Sequence, residues 1–300
     1  MFRSSSQTAA EPCRPATIVL DFDGTLTDAD AHAPAFHEAS GRELARRLGW
    51  DGSTLRQEWR RARAAVAEFP STAAWMVDGR GVCPATADPY LIANSVTRLL
   101  LGEHRPGLAS AALTAAVLEV HRAAYRRVPP PFRPEARGVL EDLCAGGYHL
   151  RVVTNSHTQA VAGMLDALSF RGRQQVIVRG DAGKFSVCGS AIADARFGSL
   201  PGVVDWQEVG RAIHLRRGRY FDLLRATWDE TGTHPASTLV VGDVFELDLA
   251  MPAALGMHVH LVTRAGTLPH EERLARMLAR GDADARLTAV VDRVRGLRRD

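Results

Sequence analysis

The 300-residue chain predicts an α/β fold, a doubly wound parallel sheet with an inserted all-helical cap-like domain. Three features predict it. A short apolar run rich in β-branched residues, Thr17 to Leu20, ends in the acidic turn Asp21-Phe22-Asp23-Gly24. About a hundred residues then carry apolar side chains at helical spacing only. From Pro134 onward, short apolar runs alternate with helical segments at the pitch of βαβ units, which implies right-handed crossovers.

The first run lies between Pro15 and an Asp-Gly turn signal and reads as a buried strand. Helices are expected over Gly41 to Gly49, Thr54 to Phe69, Asp88 to Leu101 and Leu108 to Arg127. Ser71 to Pro84, with Trp75, Met76, Gly79 and Gly81, reads as a loop or broken helix. The run Pro129-Pro130-Pro131 closes this block as a stiff connector. Next come a helix from Pro134 to Ala145, capped by Gly146-Gly147, a strand from Tyr148 to Val153, and a helix from Thr158 to Leu168. A strand at Gln175 to Val178 leads to Gly180-Asp181-Ala182-Gly183-Lys184, and Phe185 to Leu215 reads as an insertion. The remaining elements are a helix at Gly218 to Glu230, a strand at Thr238 to Val241, a helix at Val244 to Leu255, a strand at Met257 to Thr263, a helix at Pro269 to Ala279 and a last strand at Leu287 to Val291. The expected division is a polar tail at 1–15, a core at 16–30 and 130–300, and the helical unit at 31–129.

Composition narrows the function classes. A net charge of +3 is too small to argue for nucleic acid, and the basic segment Arg293 to Arg299 reads as a solvated tail. No apolar run approaches the roughly 20 residues that span a bilayer, and the polar N-terminus has no hydrophobic signal core. Cys13, Cys83, Cys144 and Cys188 are far apart with no C-x-x-C pair, which argues against structural zinc and for reduced thiols in a cytoplasm. The cations are almost all Arg. Lys184 is the sole lysine.

Three expected strand ends carry polar groups that suit a single chemistry. They are Asp21 and Asp23, then Thr154, then Gly242-Asp243 with Asp248. Two residues apart on an extended chain, Asp21 and Asp23 start on the same side, at the strand end where α/β sheets bind ligands. In order and spacing these stretches resemble the haloacid dehalogenase superfamily, and within it the phosphoglycolate phosphatase-like group with a helical cap. The resemblance covers roughly residues 16–28 and 130–265. It implies a Mg²⁺-dependent phosphatase working on a small phosphorylated metabolite through an aspartyl-phosphate.

The roles it implies agree with elementary chemistry. Asp21 is the nucleophile, since a carboxylate needs no activating base. Asp23 is the general acid and base, a residue that the superfamily's dehalogenases lack. Asp21, Asp243 and the Asp23 carbonyl are metal ligands, with Asp248 holding metal-bound water. Thr154 binds a phosphate oxygen and Asn155 assists, while Gly24 and Thr25 turn the chain so that amides reach the phosphate. The family's usual Lys-Pro cation motif is absent. Lys184 is the favoured cation and Arg216 or Arg217 the alternative, because a guanidinium does not replace a compact ammonium. His37, Arg80, His121, Trp75 and Met76 in the inserted unit read as structural or solvated. A phosphomutase and a non-catalytic phosphate-binding protein on the same scaffold are the alternatives.

Overall fold

The computed structural model describes residues 15–68, 74–77, 79–206 and 209–296. The expected tail, Pro15 excepted, and positions 297–300 of the basic end lie outside the described residues. The chain opens with β1 (Thr17–Leu20), α1 (Ala29–Leu48), α2 (Gly52–Glu68), β2 (Ala74–Val77), β3 (Arg80–Pro84), α3 (Pro89–His104) and α4 (Ser110–Arg127). It continues with α5 (Ala136–Ala145), β4 (His149–Val153), α6 (Thr158–Leu168), β5 (Val176–Arg179), α7 (Ala195–Gly198), β6 (Val203–Asp205) and β7 (Ala212–His214). It ends with α8 (Gly218–Thr231), β8 (Thr238–Gly242), α9 (Ala250–Ala254), β9 (His258–Val262), α10 (Pro269–Met277), β10 (Gly281–Asp284) and α11 (Ala289–Gly296).

Six strands form one parallel sheet in the order β10-β9-β8-β1-β4-β5. Alternate residues of the strands feed opposite faces. Ile18, Leu20, Val152 and Val241 pack under α5, α6 and α11 through Leu140, Val161 and Val290. Val19, Val240 and Val259 pack under α8 to α10 through Phe221, Met251 and Leu274. Both faces are covered, so β1 is buried at every position.

The register positions the chemistry. Leu20 stands beside both Val152 and Val241, so the loops after β1, β4 and β8 emerge side by side at one edge. The inserted unit packs α1 to α4 around Leu44, Ala62, Leu100 and Val117. A second cluster gathers Phe36, Tyr90 and Ala124, with Tyr125 packed against it.

Four local readings change. Within the expected loop, Ala74–Val77 and Arg80–Pro84 pair as the antiparallel strands β2 and β3, so the inserted unit is not all-helical among the described residues. Asp78-Gly79 was the available turn signal, with Gly79 at φ 74°. Trp75, Val77, Val82 and Cys83 bury the hairpin against Phe185 and Leu247. Phe185 to Leu215 contains α7 and β6, and Phe197, Leu200, Ile213 and Leu215 complete one sheet face. The last strand is Gly281–Asp284, whose backbone pairing with β9 overrides a poor strand sequence. Leu287, Val290, Val291 and Val294 have helical spacing and line α11 and the turn before it. Within α11, Arg293 is not solvated: it pairs with Asp282 at 3.2 Å and donates to the Arg280 carbonyl.

His121 of α4 sits among Phe36, Tyr90 and Tyr125, and its Nδ1 lies 3.1 Å from Asn94 Oδ1. Burial, with Arg122 nearby, holds its imidazole down to about 4. A histidine depressed in the folded state stabilises the fold above its unfolded value of about 6.5, and that contribution is lost as pH falls through the folded value. On acidification from pH 7 toward 4, the wild type is expected to lose on the order of 2 kcal/mol more stability than His121→Gln, which lacks the titrating imidazole. Urea midpoints of both proteins across this range check it.

Candidate active site

The β1 loop folds tightly. The Leu26 and Thr27 amides donate to the Phe22 carbonyl, and Gly24 N–H donates to Thr27 Oγ1. Gly24 has φ +83°, and a Cβ there would lie 2.1 Å from Asp243 Oδ2, so glycine is required for the β8 carboxylate to approach. Gly242 serves in the same way, since a Cβ there would meet the Asp248 side chain at 2.3 Å. Thr25 is fully buried and its hydroxyl lies 3.5 Å from Asp21 Oδ2.

The chain after β8 does not enter an α-helix directly, as the sequence suggested. Phe245 to Leu249 form a wide π-type turn, and α9 follows. This turn brings Asp248 back beneath the strand end, where Oδ2 accepts from Val244 N–H at 3.0 Å. Asp21, Asp243 and Asp248 are buried and each offers a carboxylate oxygen within 4.8 Å of the others.

Lys184 lies against these carboxylates. Its Nζ donates to Asp21 Oδ1 at 2.6 Å and to Asp248 Oδ1 at 2.8 Å, and only 1% of the residue is exposed. The Tyr220 ring lies beneath the ammonium at 5.3 Å. Burial alone would lower the Lys184 amine, but Asp21 and Asp248 outweigh it and hold it above its ordinary value. Asn155 Oδ1 accepts from Lys184 N–H at 2.8 Å, which fixes the loop carrying the cation. Arg216 is elsewhere, donating to the Leu200 and Gly198 carbonyls. Arg217 is buried with its guanidinium between the Lys184 and Val82 carbonyls, a brace rather than a phosphate ligand.

Thr154 is fully buried, and its Oγ1 accepts from Ser156 N–H at 3.1 Å. The carboxyl of Asp23 is engaged apart from the three-carboxylate cluster. Ser156 Oγ donates to Oδ2 at 2.7 Å and Tyr125 Oη donates to Oδ1 at 2.5 Å. Burial raises the Asp23 carboxyl, and the two hydroxyl donors oppose that rise.

Arg264, after β9, was not anticipated. Its Nε donates to Asp243 Oδ2 at 3.0 Å, and it also reaches Asp30 and the Ala87 carbonyl. Its place just past a neighbouring parallel strand was the signal in the sequence. Burial pushes Asp243 up to about 7 despite Arg264, with Asp248 and Asp88 adding repulsion. Burial also drives Asp21 well up; Lys184 opposes this, and the neighbouring carboxylates reinforce it. The inserted unit closes the site, leaving a cavity of about 440 Å³ lined by Asp23, Asn155 and Ser156 and by Trp75, Tyr90, His121, Arg122 and Tyr125. Trp75 and His121 thus meet the cleft, whereas His37 and Arg80 bond backbone carbonyls at Pro89 and Val187.

Solved structures share this fold. A predicted phosphatase of Clostridium acetobutylicum is 12% identical, aligned over 94% of this chain and 99% of its own, with a TM-score of 0.53. A HAD-hydrolase of Bacillus subtilis, solved bound to magnesium, is 12% identical over 94% and 99%, with a TM-score of 0.52. A search of curated proteins gives no match. The haloacid dehalogenase-like hydrolase family model matches residues 15–256, which include each of these strand ends except Arg264. The chain belongs to the haloacid dehalogenase-like hydrolases.

Proposed function

We propose that this hydrolase is a Mg²⁺-dependent phosphomonoesterase that acts on a small phosphorylated metabolite through an aspartyl-phosphate at Asp21. The observation that carries the reading is Asp23, held by two hydroxyl donors on the cavity wall beside the nucleophile loop. The family's dehalogenases lack this carboxyl, and protonating a departing alkoxide requires one.

The residues divide the work. An Asp21 oxygen attacks phosphorus as the ester P–O bond breaks, and the proton on Asp23 passes to the departing oxygen. Water then attacks the phosphorus, gives its proton to Asp23, and releases inorganic phosphate and the free Asp21 carboxylate. The Lys184 ammonium and the Thr154 hydroxyl hold the equatorial oxygens. The crowding of the all-oxygen donors Asp21, Asp243 and Asp248, with the Asp21 and Asp243 carboxyls raised, suits a hard divalent ion. These three side chains, with the Asp23 carbonyl, would hold Mg²⁺, whose charge would stabilise the transferring phosphoryl group. Among the described residues no helix is long and apolar enough to cross a membrane, and Cys83, Cys144 and Cys188 are free thiols, which supports a cytoplasmic setting.

Phosphate release from 4-nitrophenyl phosphate is expected to require Mg²⁺, to stop with EDTA, and to fall at least about a thousandfold in Asp21→Asn. Asp21→Asn behaving as wild type would sink the reading. Isomerisation of a sugar phosphate without net phosphate release would replace it with a phosphomutase, and tight phosphate-ligand binding without turnover with a non-catalytic protein. Lys184→Met is expected to lower kcat by about 10²–10³, while Arg216→Ala stays within about threefold of wild type. Steady-state kinetics of the two variants decide which cation serves the site.

A further inference from the structure

The inserted unit contributes one hydroxyl directly to the catalytic carboxyl. Tyr125 lies on α4, two residues before that helix ends, and its Oη donates to Asp23 Oδ1 at 2.5 Å. The other oxygen of Asp23 is taken from the core side by Ser156 at 2.7 Å. A carboxyl turns easily about its last bond, so two donors on opposite oxygens fix its plane where one would not. The Tyr125 ring is itself held: it stacks on His121 at 6.1 Å with 15° between planes, and His121 is tied to Asn94. Tyr90 flanks it at 6.3 Å, with its hydroxyl 3.0 Å from His32 Nδ1.

We propose that Tyr125 is a positioning residue through which the cap controls acid catalysis. Resting on the phosphatase reading above, the proposal is that Asp23 is aligned to protonate the leaving oxygen only while α4 sits over the strand ends. The side chains of the nucleophile and the cation, Asp21 and Lys184, both come from the core. The proton donor is completed across the two parts of the molecule. Phosphorylation of Asp21 by an ester with a poor leaving group therefore depends on the cap in a way that phosphorylation by an activated ester does not.

Leaving-group chemistry tests this. The ratio kcat/KM reports steps up to departure of the alcohol and excludes the later hydrolysis. An alkyl phosphate needs its oxygen protonated to leave, whereas 4-nitrophenolate leaves unaided. Tyr125→Phe keeps the ring and its stacking and removes only the hydroxyl. With saturating Mg²⁺ it is expected to lower kcat/KM for an alkyl phosphate about 10–100-fold and for 4-nitrophenyl phosphate less than about threefold. Added to Asp23→Ala, it is expected to cost nothing further, as for two groups acting as one unit. Equal losses on the two esters, or additive losses in the double variant, would overturn the proposal and make Tyr125 a substrate contact. Full alkyl phosphatase activity in Asp23→Ala would instead overturn the assignment of Asp23. Hydrolysis of neither ester by the wild type would overturn the phosphatase reading and, with it, this inference.

Discussion

Three buried carboxylates with oxygens within 4.8 Å of one another set the terms for this structure. Two like charges 4 Å apart repel by about 4 kcal/mol at an effective dielectric constant near 20. Burial adds the loss of water around each. Lys184 bridges Asp21 and Asp248 on one flank, and Arg264 holds Asp243 on the other. Removing either cation leaves a buried anion unpaired, which costs more than the ion pair itself contributes. Asp23 is spared this crowding because neutral hydroxyls, not charges, hold it.

The sheet makes that crowding possible. With β1 between β4 and β8 in parallel register, three loops leave one edge at the spacing of hydrogen-bonded strands, about 4.8 Å. Side chains alone could not close the remaining gap. Gly24 and Gly242 remove the atoms that would keep Asp243 and Asp248 away, and the wide turn at Phe245 to Leu249 swings Asp248 inward. Arg217 ties the Lys184 loop to the β3 strand of the inserted unit, so the cation's support spans both parts of the chain.

The sheet and its acidic loops were legible because each depends on short-range pattern: apolar strand, carboxylate, helix. Lys184 was legible for a different reason, since no other ammonium was available to compete with it. The hairpin β2–β3 had its Asp78-Gly79 signal, but the polar residues around it masked the alternation of Trp75, Val77 and Val82. Gly281 to Asp284 had no apolar pattern at all, and only pairing with β9 makes it a strand. Tyr125 was illegible in principle. An aromatic on a helix face reads as core, and nothing local says that its hydroxyl meets a residue 102 positions earlier. Arg264 was hidden among many arginines whose roles depend on tertiary contact, and the bracing contacts of Arg217 depend on the same.

A chain with one lysine has a chemical consequence. Its ε-amino group is 1% exposed and held as an ammonium between two carboxylates, so it is neither accessible nor nucleophilic in the folded protein. The positive surface is built from guanidinium groups, which amine-directed reagents ignore. Acylating reagents applied to the native chain therefore find no accessible lysine, and covalent labelling at position 184 becomes a clock for opening of the molecule's centre.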